Sequence, residues 1–416
     1  MEVYKLKLFR FLLSGEFLFA AFLLANVFKS ALPDIPVDLN IVFFALTVFI
    51  ALKRLFLKPY ISKKVVLPVL LILGFVMMAL ISLMYSPSVV YSTEKVLILL
   101  SLTLWSFVGA FLLINSKASL HKFLKGFMSI SVATSVYVLF DYFASSNVGD
   151  FMRIGVEGAN SLGLGRTAAL GSIVIIMLYL FNAEVSRVKK MSSLVGLAIL
   201  ILVLFLTGSR MALVSLGVAL VTFLLIKTFK VTQDDVLINK GAMRVAFSLV
   251  PIPLLMIPFS ESIQTMITRL GNLFDGSGAG SYSQRTDRFS LAYNVWKDNP
   301  IFGDGLGSYA IHYNGIDERY YPHNIILEVM SELGLVGLIL FVALLTMPFF
   351  LNNVFKSNYL QVCALLMFMY TFLNANTTGD INDNRMIFTF LALLYIYPLF
   401  NDKKKVITSL EHKTNK

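Results

Sequence analysis

The stretch YYPHNIILEVMSELGLVGLILFVALLTMPFFL, residues 320–351, decides the fold. Its second half, from Leu335 onward, is apolar and uncharged, and it approaches the roughly 20 residues a helix needs to cross a bilayer. Its first half carries a histidine at the edge of the apolar run, just after a long polar segment. What that histidine does depends on the solvent around it.

Similar apolar runs recur along all 416 residues, and the chain is 57% hydrophobic and 14% charged, with a mean hydropathy of +0.78. A soluble protein averages about 25% charged residues. The composition predicts an all-α polytopic membrane protein with about twelve transmembrane helices. The expected spans are 11–31, 40–56, 65–84, 96–114, 123–143, 166–181, 193–207, 211–226, 243–258, 335–351, 360–373 and 386–400. The N-terminal run resembles a signal peptide, but with so many later spans it is read as an uncleaved first helix. The single cysteine, Cys363, sits in an apolar run, which excludes an intrachain disulfide and a cysteine-based metal site.

The net charge of +11 comes from lysines and arginines clustered in short loops. That pattern argues for membrane orientation rather than nucleic-acid binding. Every second loop is basic, including those holding Lys53 to Lys64, Lys117 to Lys125 and Arg187 to Lys190. These loops and both termini are placed in the cytoplasm. The alternate loops face outward, among them the long segment 259–333. The expected organisation is nine spans in 1–258, an external loop with amphipathic helices in 259–334, three spans in 335–400 and a basic cytoplasmic tail in 401–416.

Within the long loop, QRTDRFSLAYNVWKDNP reads as an amphipathic helix, with Ser283 placed to cap its start and Asn299–Pro300 to stop it. The following IFGDGLGSY imitates a phosphate-binding glycine loop, but it follows a helix rather than a strand and is read as a flexible connector.

Arginine is prominent on the outer side. Arg210 lies between two spans, Arg285 and Arg288 share a face of the loop helix, and Arg153 and Arg166 bracket RIGVEGANSLGLGR. Singly, each is explained as an interfacial anchor. Together they run against the orientation trend, and their planar donor forks suit phosphate oxygens. His323 follows Pro322, which fits the first turn of a helix. A helix dipole there keeps imidazole neutral, able to accept a proton from a hydroxyl, although a capping role fits equally well. Glu328, four residues after Asn324, shares the helix face of Asn324 and is a candidate to orient neighbours. Metal use looks weak: Asp380 and Asp383 in GDINDNR are explained by a solvated hairpin.

These pieces, LTGSRMAL, SQRTDRFSLAYNVWKDNPIFGDGLGSY and YPHNIILEVMSELGLVG, in this order and spacing, resemble the O-antigen ligase and polymerase superfamily of bacterial envelope glycan transferases. The resemblance covers roughly the second half of the chain. It implies a GT-C-like helical fold, a multi-pass place in the bacterial inner membrane and a periplasmic site. It further implies inverting, metal-independent transfer of a glycan from undecaprenyl diphosphate to an acceptor hydroxyl, with no cofactor. The acceptor would be another glycan, for a polymerase, or the lipid A core, for a ligase. Other envelope glycan assembly proteins are implied partners. The implied catalytic residues are Arg210, Arg285 and His323, with Arg288, Arg166, Arg153, Asn324 and Glu328 binding substrate. Tyr321 stands where some ligases carry a second histidine, so the reading leans to polymerase. The competing class is a twelve-span transporter or flippase; Glu16 is the one conspicuous carboxylate expected within a span, which supplies a proton relay poorly.

Overall fold

The structure, a computed structural model, describes residues 2–31, 37–57, 62–144, 161–182, 184–231, 236–238, 279–352, 359–397 and 400. Arg153, the expected span 243–258 and the tail 401–416 lie outside the described residues. The described helices are α1 (Glu2–Leu12), α2 (Gly15–Ala31), α3 (Leu39–Leu57), α4 (Lys63–Ser82), α5 (Val90–Leu113), α6 (Lys117–Ala144), α7 (Ser161–Leu180), α8 (Arg187–Leu206), α9 (Arg210–Thr228), α10 (Ala279–Asp298), α11 (Ser308–Asn314), α12 (Ile325–Leu351), α13 (Tyr359–Ala375) and α14 (Met386–Ile396). A small antiparallel hairpin pairs Phe229–Val231 with Val236–Ile238.

Eight of these helices, α3 to α9 and α12, are long and apolar enough to cross a membrane. The segments Lys5–Leu12 and Gly15–Val27 pass the same test as one bent pair, 55° apart, giving up to nine. Ser14 sits at that bend, and its hydroxyl accepts from Phe17 N and donates to Phe11 O. α13 and α14 are apolar but shorter than a full crossing. The described residues thus hold fewer full-length spans than the expected twelve.

In lipid, apolar burial drives little helix association, so close packing and interhelical hydrogen bonds decide which helices meet. Phe19 of α2 packs against Phe123 of α6 and Phe22 against Phe44 of α3, while Phe75 of α4 meets Phe341 of α12, which leans on Phe388 of α14. Phe49, Phe56, Leu70 and Ile339 face outward, as lipid-facing positions do. The polar ties are specific. Arg54 bonds Glu16 at 3.0 Å and Leu113 O at 2.7 Å, and Trp105 donates to Thr47 at 2.9 Å. Lys95 of α5 meets Glu328 and Glu332 of α12, each at 2.6 Å and all three buried. Glu16 is therefore not the lone carboxylate within a span. The expectation failed because α12 starts upstream of Leu335, at Ile325, and carries two glutamates into the bundle.

α12 is broken at Gly334, whose φ of 63° and ψ of −160° are non-helical. The amides freed by the break, Leu335 N and Val336 N, donate to Pro300 O and Ile301 O. In return, Asp304 N and Gly305 N donate to Ser331 O and Glu332 O. The glycine-rich turn is thus a packed plug against a broken helix, not the flexible connector expected. Gly303 and Gly334 must lack side chains: a Cβ on either would come within 2.5 Å of the other segment's backbone. Asp317 then caps α5, its carboxylate accepting from Ser88 Oγ and from the amides of Val89, Val90 and Tyr91 at 2.7–3.1 Å. The loop helix α10 ends at Asp298, as Asn299–Pro300 predicts, but it starts at Ala279, so Ser283 lies inside it rather than at its cap.

Candidate functional site

A cavity of about 210 Å³ opens at the end of the bundle where the lysine-poor loops lie. α2 and α7 wall it on one side with Leu23, Val27, Leu162 and Leu170. α13 and the 376–385 loop form the other side, and Arg285 of α10 and the 320–324 segment close it. Its ionisable lining is Arg166, Arg285, Tyr321, His323, Tyr370, Asp383 and Arg385.

His323 has φ of 61°, the one positive value among the described non-glycine residues. Holding a histidine there costs about 1–3 kcal/mol, so its surroundings must enforce it. Pro322 fixes the backbone before it, and Asn324 caps α12 after it, accepting from Ile326 N and Leu327 N at 3.0 Å each. His323 therefore precedes the helix, and Pro322 lies outside it rather than in its first turn. The imidazole meets Tyr321 edge-on at 4.7 Å. Burial first, then the charges of Arg288 and Arg285, push its pKa down to about 4. Burial and arginine charge, rather than a helix dipole, therefore favour the neutral imidazole.

Arg285 sits partly buried, and burial together with Arg210 and Arg288 weakens its hold on its proton. Among the described residues no carboxylate pairs with it. Three guanidinium groups thus crowd one corner. Arg210 opens α9 there without lining the cavity. Arg288 lies beside the cavity, over Tyr313 at 5.3 Å and Tyr320 at 5.7 Å, with its Nε buried and unpartnered. Arg166 enters from α7 and donates to the Thr378 hydroxyl. Asn324 is committed to the α12 cap and to Asn376 O at 3.3 Å. Glu328 is committed to Lys95 and accepts from Ile381 N at 3.3 Å, away from the cavity lining.

The GDINDNR segment is buried apart from Asp383, not the solvated hairpin expected. Asp380 is 1% exposed, and Arg319 bridges it at 3.1 Å to Asp383 at 2.7 Å. Tyr91 donates to Asp380 at 3.0 Å. Arg385 donates to Phe22 O at 3.1 Å and to Asn40 Oδ1 at 2.6 Å, with its guanidinium over the Phe22 ring. Arg319 and Arg385 escaped sequence reading because a single charge in a short polar run carries no periodicity; the density of Asp and Asn in GDINDNR was the available signal.

The order of these residues along the chain, an arginine opening α9, two on α10 and a histidine before α12, now has a geometry. Residues 195–342 match the O-antigen ligase family model. This supports the O-antigen ligase/polymerase superfamily for the chain. No curated protein matches it. The O-antigen ligase match holds Arg210, Arg285, Arg288, Arg319 and His323. Arg166, Tyr370, Asp383 and Arg385 lie outside the matched O-antigen ligase stretch, so the cavity is completed by helices on either side of it. With its apolar helices, the family match suggests a multi-pass membrane protein in O-antigen-type envelope glycan assembly.

Proposed function

We propose that this protein transfers a glycan from undecaprenyl diphosphate to an acceptor hydroxyl at the periplasmic face of the inner membrane, with inversion at the sugar carbon. The observation that carries the reading is the convergence of Arg166, Arg285 and His323, from three separate elements, on one cavity. The guanidinium forks suit diphosphate oxygens and would stabilise the charge that develops as the carrier leaves. In this reading the arginines do the work of a divalent cation, and neither metal nor cofactor is required. Arg210 and Arg288 add positive potential from the side. His323, uncharged above about pH 4, faces the acceptor hydroxyl as its base or its orienting group. The apolar wall from α2 and α7 suits the first isoprene units of the carrier.

The favoured activity is polymerisation, extending the glycan by repeat units, because Tyr321 occupies the place of the second ligase histidine. The alternative is ligation to the lipid A core. The envelope glycan of a deletion strain separates them. Lipid A core bearing single repeat units supports polymerase, whereas bare core with polymer stranded on the carrier supports ligase. An unaltered glycan profile beside loss of solute transport rejects transfer and favours the transporter. At unchanged protein level, Arg285→Ala or Arg166→Ala should lower transfer roughly 10- to 100-fold, from about 1.5–3 kcal/mol of charge-assisted bonding. Lysine at either place should restore part of the rate, since it lacks the planar fork. Full activity in both alanine variants rejects the diphosphate assignment.

A further inference from the structure

Asp383 is the one carboxylate among the residues lining the cavity. The loop that carries it is built to present it. Asp383 N donates to Asp380 Oδ1 at 2.7 Å, and Asn384 Nδ2 donates to Thr378 O and Asp380 O at 2.9 and 2.8 Å. Gly379, with φ of 74°, leaves the space: a Cβ there would meet Asp383 Cβ at 2.8 Å. Arg319 holds Asp383 Oδ1, while Oδ2 makes no hydrogen bond to a described residue, and the side chain stays 35% exposed. One oxygen is therefore anchored and the other is open.

The charges around Asp383 come from four directions. Asp380 lies on its own loop, Arg319 and Tyr321 on the segment before α12, Arg166 on α7, and Arg385 at the start of α14. Arg319 serves two carboxylates at once, so Asp383 can take a proton while Asp380 keeps the guanidinium paired. His323 is differently placed. It stands among Arg288, Arg285 and Arg166, cations in or beside the diphosphate site, with Asp380 as the opposing carboxylate, and a proton arriving there would add to the repulsion among those cations.

On the transfer reading above, we propose that Asp383 is the catalytic base, taking the acceptor hydroxyl proton on Oδ2 while the neutral His323 ring orients that hydroxyl. In the step, the acceptor oxygen bonds to the sugar carbon as the bond from that carbon to the diphosphate oxygen breaks. The electron pair departs with the diphosphate towards the arginines, and the hydroxyl proton goes to Asp383, which later releases it to water. Burial, then Asp380, raises the Asp383 pKa above the usual carboxylate range against the pull of Arg319, which improves it as a proton acceptor.

The test compares two nucleophiles on the full-length protein supplied with a lipid-linked glycan: a hydroxyl acceptor, which must lose a proton, and azide ion, which need not. Asp383→Asn should lower transfer to the hydroxyl about 10²- to 10⁴-fold, yet keep transfer to azide within a few-fold, detected as glycosyl azide by mass spectrometry. Arg166→Ala should lose both. Arg319→Gln, which removes the clamp but keeps the base, should retain part of the hydroxyl rate with its acidic limb displaced to higher pH. That limb should persist in His323→Gln, whose residual rate should still rise with pH. Equal loss of both transfers in Asp383→Asn would reduce Asp383 to a structural role and overturn the proposal, as would a wild-type hydroxyl rate in that variant. No transfer to either nucleophile by the wild-type protein would overturn the transfer reading itself and this proposal with it.

Discussion

At the residue scale, His323 concentrates the tension between fold and function. Its backbone is strained and its imidazole is half-buried beside cations, so the folded state binds a proton more weakly than the unfolded chain. The ordinary histidine value is 6.5 and the folded one about 4. As pH falls below 6.5 the unfolded chain therefore takes the proton first, and stability is lost progressively towards pH 4. Thermal unfolding of the detergent-solubilised protein should show a larger fall between pH 7 and pH 5 for the wild type than for His323→Gln. Equal falls would place the imidazole in ordinary solvent. The histidine's importance was legible in the sequence from its position at an apolar boundary. Its left-handed backbone was not, because that conformation is imposed by the Asn324 cap and by packing against Tyr321.

At the element scale, the broken helix α12 and the plug 300–305 are one unit. Gly334 and Gly315 both have positive φ, yet a Cβ at Gly315 meets nothing within 4 Å, while one at Gly334 meets Ile301 O at 2.4 Å. Gly315→Ala should cost about 1 kcal/mol, from the left-handed backbone alone. Gly334→Ala should cost more than about 3 kcal/mol, since backbone must also move. Comparing the thermal stability of the two variants checks this; similar losses would mean the plug does not seat in the break. The buried ions on the same helix give a second prediction. Lys95→Met leaves Glu328 and Glu332 without their cation and should destabilise by about 3–5 kcal/mol. Adding Glu328→Gln and Glu332→Gln should recover most of that. A triple variant no better than the single one would show that Lys95 acts through something other than this pairing.

At the scale of the whole molecule, the orientation inferred from loop charge remains a proposal with a direct test. Asn314, at the end of α11, is exposed and suits a reporter cysteine, whereas neighbouring Ser308 is buried and does not. Ser186, before α8, is exposed at the opposite end of the bundle. With Cys363 replaced, a cysteine at position 314 should react with an impermeant thiol reagent in outer-membrane-permeabilised cells, and one at position 186 should not. Labelling of position 186 alone reverses the orientation and moves the cavity to the cytoplasmic side.

The sequence by itself determined that this is a chain of membrane-length helices and where most of them lie, because a bilayer demands long apolar runs and imposes a charge bias on the loops between them. It also pointed to Arg166, Arg285 and His323, since polar groups at apolar boundaries stand out in a greasy chain. Only the tertiary structure decided what those residues share. Arg166, His323 and Asp383 are far apart in sequence and become neighbours because α7, α12 and the 376–385 loop end at the same level of the bundle. It also decided that Asn324 and Glu328 are spent on a cap and an ion pair, and that the glycine-rich turn is packed rather than loose. The physical reason is common to all three. Helix formation and membrane insertion are written in local composition, whereas the partner of a buried polar group is set by whichever distant backbone or side chain can satisfy it once lipid has excluded water.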